Sequence, residues 1–492
     1  MLRYFYEKIY PNGSKPARAY GLPKLHKNYV TVPPFRPIVS SIGTFNYHLA
    51  SFLGDLAKDV MPCEFSCSDT FTFLRELKQQ NLEGQFMISF DVCSLFTNIP
   101  LNETIDLAVD LILNKKPDLK ISKRELRELF VFATSKTNFI FQGVIYDQID
   151  GIAMGSPLAP ILANLFMGYN ESIWINQYTH KKADFYKRYV DDIFACFDNE
   201  ADALKFFDHL SNVHPKIKFT KECHQNGTIP FLDVLISNVN GLKTSVYHKP
   251  TYTGLLTNFK SFVPHSYKTR LIHTLLDRTF KINSDSTGFQ SDVKKLSNFL
   301  MRNLFPKRLI DKMFKRFSEN KDKIDLSISL QNQKDIRYIK LPYIGEFSKI
   351  AKRKIRKLVG RFCNEKIQVN LVFDTCKIGS YFSTKDVVPK CFKSSVIYKF
   401  CCQECNSCYV GRTHKHFITR LNEHLETDKL SSINKHLKKN NICKIKNSQS
   451  SFSILDHAKT NYELALKEAM HIKWENPSLN EQKKHEIIRL LI

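Results

Sequence analysis

The sequence has no uninterrupted apolar run of the roughly 20 residues that a membrane-spanning helix requires. Its N-terminus, MLRYFYEKIYPNGSK, has charges and a proline where a signal peptide carries its apolar segment, so export is not indicated. The composition, with 43% hydrophobic and 12% aromatic residues, is typical of a globular protein. From the missing apolar run and the missing export signal we expect a soluble, intracellular protein. The length of 492 residues predicts roughly two to four domains.

Acidic residues are in the minority, with 48 Asp and Glu against 73 Lys and Arg, which gives a formal net charge of +25. The imbalance is large from residue 251 to residue 400, where 31 Lys and Arg face 12 Asp and Glu. Because phosphate neutralisation by Lys and Arg dominates nucleic-acid affinity, this charge predicts a nucleic-acid partner. A membrane surface is the competing polyanion.

The 13 cysteines are not expected to form disulfides, because export is not indicated. They should be reduced thiols or metal ligands. Five of them fall between Cys401 and Cys443.

The stretch YKRYVDDIFACF, residues 186–197, places two adjacent aspartates between apolar and aromatic runs that favour strand. We expect a β-hairpin with Asp191 and Asp192 at its tip, because neighbours within a regular strand would point to opposite faces. Carboxylates that face one cavity suit Mg²⁺. For this dipeptide alone, a polar turn without function is the alternative.

The stretch GQFMISFDVCSLFTNIP, residues 84–100, predicts a buried strand over Met87–Phe90 and a helix from about Leu101 to Asn114. Asp91 ends the strand and is a candidate metal ligand, with a helix cap or turn former as the alternative. Phe96 is a candidate contact for a bound sugar, and core packing is its alternative.

Two basic segments lie near the N-terminus. YGLPKLHK, residues 20–27, is expected to form turns, and PPFRPIVSS, residues 33–41, is expected to form a strand that carries Arg36 outward. Lys24, Lys27 and Arg36 are candidates for meeting a triphosphate. An ordinary basic loop is the alternative.

The stretch GIAMGSPLAPILANLFM, residues 151–167, predicts a loop in which the backbone can approach a ligand closely. Pro157 suits the first turn of the helix that we expect from Leu158 to Met167. A junction between loop and helix without function is the alternative.

The remaining segments of the first 362 residues predict mixed structure with increasing positive charge. We expect, in order, a helix at 200–212, a strand at 229–236, a nucleic-acid-gripping strand and turn at 246–266, helices over 267–317, a loose connection over 318–340 and a basic, phosphate-contacting helix at 347–362.

The order of four segments resembles the motif series of reverse transcriptases. These segments are the basic strand, Asp91 with Phe96, the Gly-Ser-Pro loop and Tyr189–Asp192. The amino-acid sequences of these motifs resemble those of the Penelope-like retroelements, whose polymerase domain is similar to telomerase. The segments that carry this resemblance are YGLPKLHK, SFDVCSLFTNIP, GIAMGSPLAPILANLFM, RYVDDIF, IPFLDVLI and VYHKPTYTG, and it covers roughly residues 18–360.

The resemblance implies RNA-directed DNA synthesis with two Mg²⁺ ions, a chemistry in which carboxylates from separate segments must converge. Asp91 and Asp191 would be the principal ligands and Asp192 the supporting one. By analogy, the other residues of the site would contact the nucleotide. Lys24, Lys27 and Arg36 would bind the triphosphate, Phe96 would exclude a ribose 2′-hydroxyl, and Gly155, Ser156, Pro157 and Leu158 would position the template base and nucleotide.

A second group of motifs occupies SVIYKFCCQECNSCYVGRTHKHFITRLNEH, residues 395–424. It predicts two short β-segments and then a helix from His414 to about Leu425, with Arg420 and His424 on one face. This stretch resembles a GIY-YIG endonuclease, with Tyr398 and Tyr409 in the two half-motifs and Val396 in place of the first glycine.

The resemblance to a GIY-YIG nuclease implies a second active site with one divalent metal. Glu468, on a predicted helix, would hold that metal, and Arg420 would stabilise the pentavalent phosphate. Tyr398 or Tyr409 would help to activate water. Asn480, which follows Pro477, would be a further catalytic residue.

Cys405 and Cys408 have the two-residue spacing of a zinc knuckle. Penelope-like nucleases pair such cysteines with two histidines; here His436 matches the first, and Cys443 lies near the second position. We therefore predict a zinc site of three cysteines and one histidine, with His457 as the alternative fourth ligand. Free thiols are the alternative for the pair.

The predicted fold class is α+β, a right-hand polymerase followed by a small α/β GIY-YIG nuclease domain. The predicted domains are fingers and palm over 1–260, a helical thumb over 261–345, a basic linker over 346–390 and the nuclease over 391–492.

The predicted function is target-primed reverse transcription in the nucleus, away from membranes. The protein would nick target DNA and extend the exposed 3′ end, the primer, on an RNA template with deoxynucleoside triphosphates. The alternatives are a telomerase-like polymerase with an inactive nuclease and a non-catalytic nucleic-acid-binding relic.

Overall fold

The computed structural model of the protein describes residues 6, 9–11, 14–25, 31–135, 138–239, 241–324, 335–362, 367–382 and 385–480. Lys27 lies outside these residues. Among the helices in the described ranges, none combines the length and the apolar character needed to cross a membrane.

The strands are numbered in chain order. They are β1 (Ala17–Pro23), β2 (Phe35–Ser40), β3 (Phe86–Val92), β4 (Asn138–Phe141), β5 (Val144–Asp147), β6 (Phe185–Tyr189), β7 (Asp192–Phe197), β8 (Phe219–Cys223), β9 (Thr228–Phe231), β10 (Val234–Ser237), β11 (Lys243–Val246), β12 (Asp335–Pro342), β13 (Ile367–Asp374), β14 (Val396–Cys401), β15 (Cys408–Thr413) and β16 (Phe452–His457).

The α-helices are numbered in the same way. They are α1 (Tyr47–Lys58), α2 (Thr70–Lys78), α3 (Leu95–Asn98), α4 (Leu101–Lys115), α5 (Lys123–Thr134), α6 (Ala159–Gln177), α7 (Glu200–Asn212), α8 (His265–Ile282), α9 (Ser286–Arg302), α10 (Lys307–Ile324), α11 (Glu346–Phe362), α12 (Phe417–Asn422), α13 (Ser432–Lys439), α14 (Asn441–Lys446) and α15 (Asn461–Glu475).

A four-stranded antiparallel sheet in the order β6–β7–β3–β8 forms the centre of the first half. Because side chains alternate along a strand, Ile88 and Phe90 of β3 join a large core on one face, whereas Met87 joins a second core on the other. Helices α1 and α4 to α7 supply the large core. Burial of β3 and β7 on both faces explains why their sequences are almost continuously apolar.

Helix α6 begins at Ala159 and runs to Gln177, one residue later and ten residues further than predicted. The apolar positions continue through Gly168 and Trp174, so the helix remains buried beyond Met167. Gly168 permits close packing, because a Cβ there would lie 2.6 Å from the carbonyl oxygen of Pro62.

The N-terminal sheet has the order β2–β1–β4–β5. The prediction of turns at 20–27 is wrong for Tyr20–Pro23, which pairs with β2 in strand β1. Proline is tolerated there because β4 borders β1 only at Ala17 and Arg18, which leaves Pro23 on an open edge. Arg36 lies on β2 and is exposed, as predicted.

The predicted strand at 229–236 is instead a hairpin of β9 and β10. Leu232 has a φ of 57° and turns the chain between the two strands. Together with β11 they form a small sheet, and α8, α9 and α10 follow with their own core of Leu276, Leu300 and other apolar residues. The predicted helical character of 267–317 is confirmed.

The predicted loose connection over 318–340 differs from the structure at both ends, because α10 runs to Ile324 and β12 begins at Asp335. Strands β12 and β13 pair in parallel, and α11 connects them. The predicted boundary at 345/346 therefore falls inside one βαβ unit, residues 335–374. A parallel pair needs such a crossover.

The C-terminal domain has an antiparallel sheet in the order β15–β14–β16. Its core contains Tyr398, Phe400, Phe417 and Phe452. The helix predicted from His414 begins at Phe417, and a π-helical turn over Glu423–Thr427 follows it.

Candidate active sites

Three carboxylates meet at the end of the central sheet. Asp91 on β3 and Asp192 on β7 are paired residues in adjacent antiparallel strands. Asp191 lies in the turn before β7, where Val190 has a φ of 58°, and its carbonyl accepts a hydrogen bond from the Val92 N–H at 2.9 Å. The predicted hairpin with the acids at its tip is confirmed as a structure.

The electrostatics of this cluster suit a cation. Burial raises the pKa of Asp192 to about 6, and the neighbouring Asp191 and Asp91 add to the increase. Lys249 and Arg36 act in the opposite direction. Carboxylate oxygens are the ligands that Mg²⁺ prefers, so Asp91, Asp191 and Asp192 fit a magnesium site.

A buried ion pair supports the turn that carries these acids. Arg188 on β6 is 0% exposed, and its Nε lies 2.8 Å from Glu171 on α6, which is 1% exposed. Arg188 Nη1 donates to the Val190 carbonyl at 2.9 Å and to the Asn164 side-chain oxygen at 2.9 Å. The Tyr186 hydroxyl donates to Glu171 at 2.8 Å. Helix α6 thus holds the hairpin from within the core.

The loop that contains Gly155 joins the N-terminal sheet to the central sheet. The Val39 N–H donates to the Met154 carbonyl at 2.8 Å, and the Ser41 hydroxyl donates to the Gly155 carbonyl at 2.8 Å. Gly155 has a φ of 132°, and a Cβ there would lie 2.3 Å from the Val39 carbonyl oxygen. Only glycine permits this approach.

The other predicted residues of the nucleotide site differ in exposure. Ser156 and Pro157 are half-buried, whereas Leu158 is 0% exposed and packs in the core, so its predicted contact with a nucleotide is wrong. Lys24 follows β1, where its N–H donates to the Pro34 carbonyl at 2.8 Å. Among the described residues, Lys24 and Arg36 thus lie on one hairpin of the N-terminal sheet.

Phe96 lies on the short helix α3, directly after β3, and is half-buried. Its carbonyl accepts a hydrogen bond from the Ile152 N–H at 2.7 Å. Gly151 has a φ of 70°, and a Cβ there would lie 2.8 Å from the Phe96 carbonyl oxygen. The backbone around Phe96 is therefore fixed against the glycine-containing loop.

A cavity of about 610 Å³ is lined by the segment that follows β11 and by α8 and α9. One lining residue, Lys249, lowers the pKa of Asp192 through its positive charge. His248 and Tyr252 form a stacked pair at 4.2 Å on its wall. These residues belong to the segment predicted to grip a nucleic-acid backbone, although the sequence did not connect Lys249 with the acids.

In the C-terminal domain, the side chains of Tyr398, His424 and Arg420 form one buried network. The Tyr398 hydroxyl shares a hydrogen bond with His424 Nε2 at 2.6 Å, and Arg420 Nε donates to the same hydroxyl at 3.3 Å. Burial, and then Arg420, lower the pKa of His424 to about 4, so its imidazole is neutral at pH 7. Gly411 gives the Tyr398 ring room, because a Cβ there would lie 2.8 Å from the hydroxyl.

Glu468 on α15 lies close enough to the two tyrosines for its charge to act on both. After burial, the Glu468 carboxylate is the next cause that raises the pKa of Tyr409. Arg412 Nε lies 3.3 Å from Glu468, whose side chain is 17% exposed. A carboxylate, an arginine and two tyrosines thus converge, and Glu468 offers oxygen to one divalent ion.

Asn480 has a different position from the one expected of a catalytic group. Its side-chain amide donates to the Val410 carbonyl at 2.8 Å, and its side-chain oxygen accepts from the Val410 N–H at 2.9 Å. Both ends of the amide are used in holding β15. The geometry therefore makes Asn480 a positioning residue for the strand that carries Tyr409.

The predicted thiol cluster is present with one change of ligand. The side chains of Cys402, Cys405, His436 and Cys443 have ligand atoms within 4.8 Å of one another. The prediction of Cys408 as a ligand is wrong, because Cys408 lies in the β14–β15 ladder opposite Cys401 and outside the cluster. His457, the alternative fourth ligand, lies on β16 opposite Val396.

The thiols near this cluster differ in protonation. Burial opposes ionisation of Cys402, but the Cys405 backbone N–H and His436 lower the pKa of its thiol to about 6. Burial raises the pKa of the Cys443 thiol to about 11, as it does for Cys408. The assignment therefore rests on the distances between the ligand atoms, and a set of three cysteines and one histidine suits Zn²⁺.

Three family models match the chain in this order. "Reverse transcriptase (RNA-dependent DNA polymerase)" matches residues 47–221, "Animal helix-turn-helix domain" matches 255–315 and "GIY-YIG catalytic domain" matches 394–483. The chain therefore carries a reverse transcriptase domain and, towards its C-terminus, a GIY-YIG domain. This combination matches the Penelope-like architecture, and the fold is a right-hand polymerase followed by a small α/β nuclease domain.

Comparison with curated proteins gives no match. Among solved structures, the chain is similar to a Candida albicans telomerase in complex with a fragment of telomeric RNA, at 10% identity and a TM-score of 0.40, over 65% of this chain and 66% of that one. A Candida tropicalis telomerase gives 12% identity and a TM-score of 0.38, over 73% and 60%. The BmCPV RNA-dependent RNA polymerase gives 13% and 0.37, over 57% and 26%. The chain thus spans less than two thirds of these proteins.

Proposed function

We propose that this protein is a Penelope-like retroelement enzyme that nicks target DNA and copies an RNA template from the exposed 3′ end. The observation that carries the proposal is the presence of two separate clusters in one chain. One is the carboxylate cluster at Asp91, Asp191 and Asp192. The other is the tyrosine, arginine and glutamate cluster around Tyr398, which follows Asp192 by 206 residues in the chain.

In the polymerase site, Asp91 and Asp191 would hold two Mg²⁺ ions with support from Asp192. When bound, such ions lower the pKa of the primer hydroxyl and stabilise charge at the transferred phosphoryl group. Arg36, with Lys24 and Lys27, binds the triphosphate of the incoming deoxynucleotide. Phe96 excludes a 2′-hydroxyl, while Gly155 and Ser156 position the base pair.

In the nuclease site, Glu468 would hold a single divalent ion, which would neutralise charge at the scissile phosphate. Arg420 stabilises the pentavalent phosphate. Tyr409 and the buried Tyr398 orient the attacking water, and His424, neutral at pH 7, shares the Tyr398 hydroxyl proton. Cys402, Cys405, His436 and Cys443 would bind a structural Zn²⁺, whose binding free energy adds to folding.

Because the proposed substrates are target DNA and template RNA, we propose that the protein acts in the nucleus. Two variants separate the activities. Asp191→Asn should reduce primer extension on an RNA template by orders of magnitude while leaving nicking intact. Glu468→Ala should abolish nicking while leaving extension of a pre-nicked substrate intact, because the two sites use different metal ions.

The matched controls are Asp198→Asn, at the exposed far end of the central sheet, and Glu426→Ala, on the nuclease surface. Both should behave as the parent protein. Extension without nicking in the parent would favour a telomerase-like polymerase with an inactive nuclease. Absence of both activities in a protein that still binds RNA and DNA would favour a non-catalytic relic.

A further inference from the structure

The βαβ unit of residues 335–374 carries a helix with an unusual concentration of positive charge. Helix α11, EFSKIAKRKIRKLVGRF, has seven Lys and Arg and one Glu. The Glu is Glu346, and Lys349 pairs with it. Among the described residues, no carboxylate forms an ion pair with the other six cations. The helix is therefore a cationic surface that the protein itself does not neutralise.

The charges lie on the outer side of the unit. Ser348 is buried, and Ile355 and Val359 are half-buried, which defines the inner face. Arg353, Lys357 and Arg361 follow one another at intervals of four residues and are exposed. Residues at this spacing share one face of a helix. From Lys349 to Arg361 this face measures about 18 Å, or roughly five base-pair steps of a duplex.

The helix cannot be a loosely attached tail, since the unit is fixed to α8. The Tyr267 hydroxyl donates to the Phe373 carbonyl at 3.2 Å and accepts from the Phe373 N–H at 2.8 Å. Directly after β12, the Tyr343 N–H donates a hydrogen bond to the Asp374 carbonyl at the end of β13, at 2.8 Å. The cations are thus held in a defined position beside the polymerase domain.

The arrangement costs stability, because like charges at i and i+4 repel. The strength of the local positive potential is visible at Lys352: burial, and then Arg356 and Arg270, lower the pKa of its ammonium group. Arg270 is on α8, so the positive surface extends from the βαβ unit onto the neighbouring helix. A polyanion would remove this repulsion.

An exposed aromatic ring accompanies the cations on the helix itself. Phe347, at the start of α11, is 72% exposed. Rings beside a cationic groove stack on unpaired bases in proteins that bind single strands. A membrane surface is the competing partner, because Ile350 and Leu358 of α11 are also exposed, and the test therefore includes vesicles.

We propose that α11 is a nucleic-acid-binding element, whose outer face contacts the phosphate backbone while Phe347 contacts a base. The proposal extends the proposed function to a surface outside both active sites. It does not require either site to be active.

The test is the salt dependence of binding by the full chain. In the variant Arg353→Gln/Lys357→Gln/Arg361→Gln, the slope of log affinity against log salt should fall by about 3 for duplex DNA and about 2 for single-stranded RNA. Glutamine preserves helix propensity, so the unit should still fold. The comparison of RNA with DNA identifies which strand lies on this face.

Two controls make the result specific. Lys78→Gln/Lys120→Gln/Lys205→Gln removes the same charge from exposed lysines of the polymerase domain and should leave the slope within one unit of the parent. Arg353→Lys/Arg361→Lys keeps the charge on α11 and should bind as the parent does.

Three results would overturn the proposal. The first is an unchanged slope in the α11 variant, and the second is an equal decrease in the lysine control. The third is loss of binding to vesicles that contain anionic phospholipid while binding to RNA and DNA stays unchanged. Primer extension and nicking, measured at saturating substrate, distinguish a failure of this proposal from a failure of the proposed function.

Discussion

Replacing Glu171 by alanine removes the carboxylate that neutralises the buried guanidinium of Arg188. The two side chains are 1% and 0% exposed, and Arg188 Nε lies 2.8 Å from both carboxylate oxygens. The variant leaves an uncompensated cation in the core of the palm. It also removes the acceptor of the Tyr186 hydroxyl.

Removal of one partner from a buried ion pair typically costs about 3–5 kcal/mol. Domain stabilities are about 5–15 kcal/mol, so the expected loss is a large fraction of the total. The variant Glu171→Leu/Arg188→Met/Tyr186→Phe removes both charges and the hydroxyl together. Because apolar replacements of buried pairs are often nearly neutral, we expect it to recover most of the lost stability.

The protein has two tryptophans, which allows the palm to be observed alone. Trp174 lies on α6, the helix that carries Glu171, and is 5% exposed, whereas Trp474 is 65% exposed in the nuclease domain. In a Trp474→Phe background, Trp174 fluorescence during urea titration reports unfolding of the palm. Glu128→Ala, an exposed glutamate on α5, is the control and should change stability by less than about 0.5 kcal/mol.

Arg188 also donates to the Val190 carbonyl in the turn that carries Asp191. The apolar variant lacks this bond, so we expect a folded palm with slow primer extension. A loss below about 1 kcal/mol in Glu171→Ala would show that the pair does not stabilise the palm as argued. A parental extension rate in the apolar variant would show that Arg188 does not position the turn.

Three further predictions concern single residues. Phe96→Ala should admit ribonucleotides, and unchanged discrimination against a 2′-hydroxyl in primer extension would assign that role to another residue. Cys402→Ser should remove about one zinc per chain in metal analysis, whereas Cys408→Ser should keep it; the reverse result would restore the sequence-based ligand set. The pKa of His424 is depressed in the folded state, so stability should decrease as pH falls from 6.5 to 4, by about 3 kcal/mol, and hydrogen exchange over residues 396–425 should show a weaker pH dependence in His424→Gln.

The sequence predicted three of the four strands of the central sheet, β3, β6 and β7, because apolar and aromatic residues run through them. Met87–Phe90 and the β6–β7 hairpin are confirmed, and helix 200–212 is confirmed at both ends. Each of these segments has a periodicity or an apolar run that is visible within a few consecutive residues. The turn at Leu232 was missed, because a leucine with a positive φ has no such signal in the sequence.

The βαβ unit had a signal that the prediction did not use. IQVNLVFD, residues 367–374, alternates apolar and polar residues as a strand does, and it forms β13. The partner strand β12 lies across a helix of 17 residues, so the pairing becomes clear only when the crossover is considered. A search for the pattern of strand, helix and strand would have found it.

The zinc ligands show a different limit. Cys402, Cys405 and Cys408 are separated by two residues each, so the spacing C-x-x-C occurs twice and cannot select a pair. Pairing of β14 with β15 decides between them, since it places Cys408 in the ladder opposite Cys401 and leaves the Cys402 thiol beside His436. The ligand set depends on the register of a hairpin, which the spacing does not contain.

The carboxylate cluster depends on contacts of still longer range. Asp91 and Asp192 are adjacent because β3 and β7 pair, and burial with two like charges raises the pKa of Asp192 to about 6. Arg36 and Lys249, from opposite ends of the polymerase domain, only partly offset this effect. Repulsion between the three carboxylates remains in the folded protein, and a bound cation would reduce it. The preference for a cation therefore arises from the assembled geometry, and neither the Asp-Asp pair nor Asp91 alone contains it.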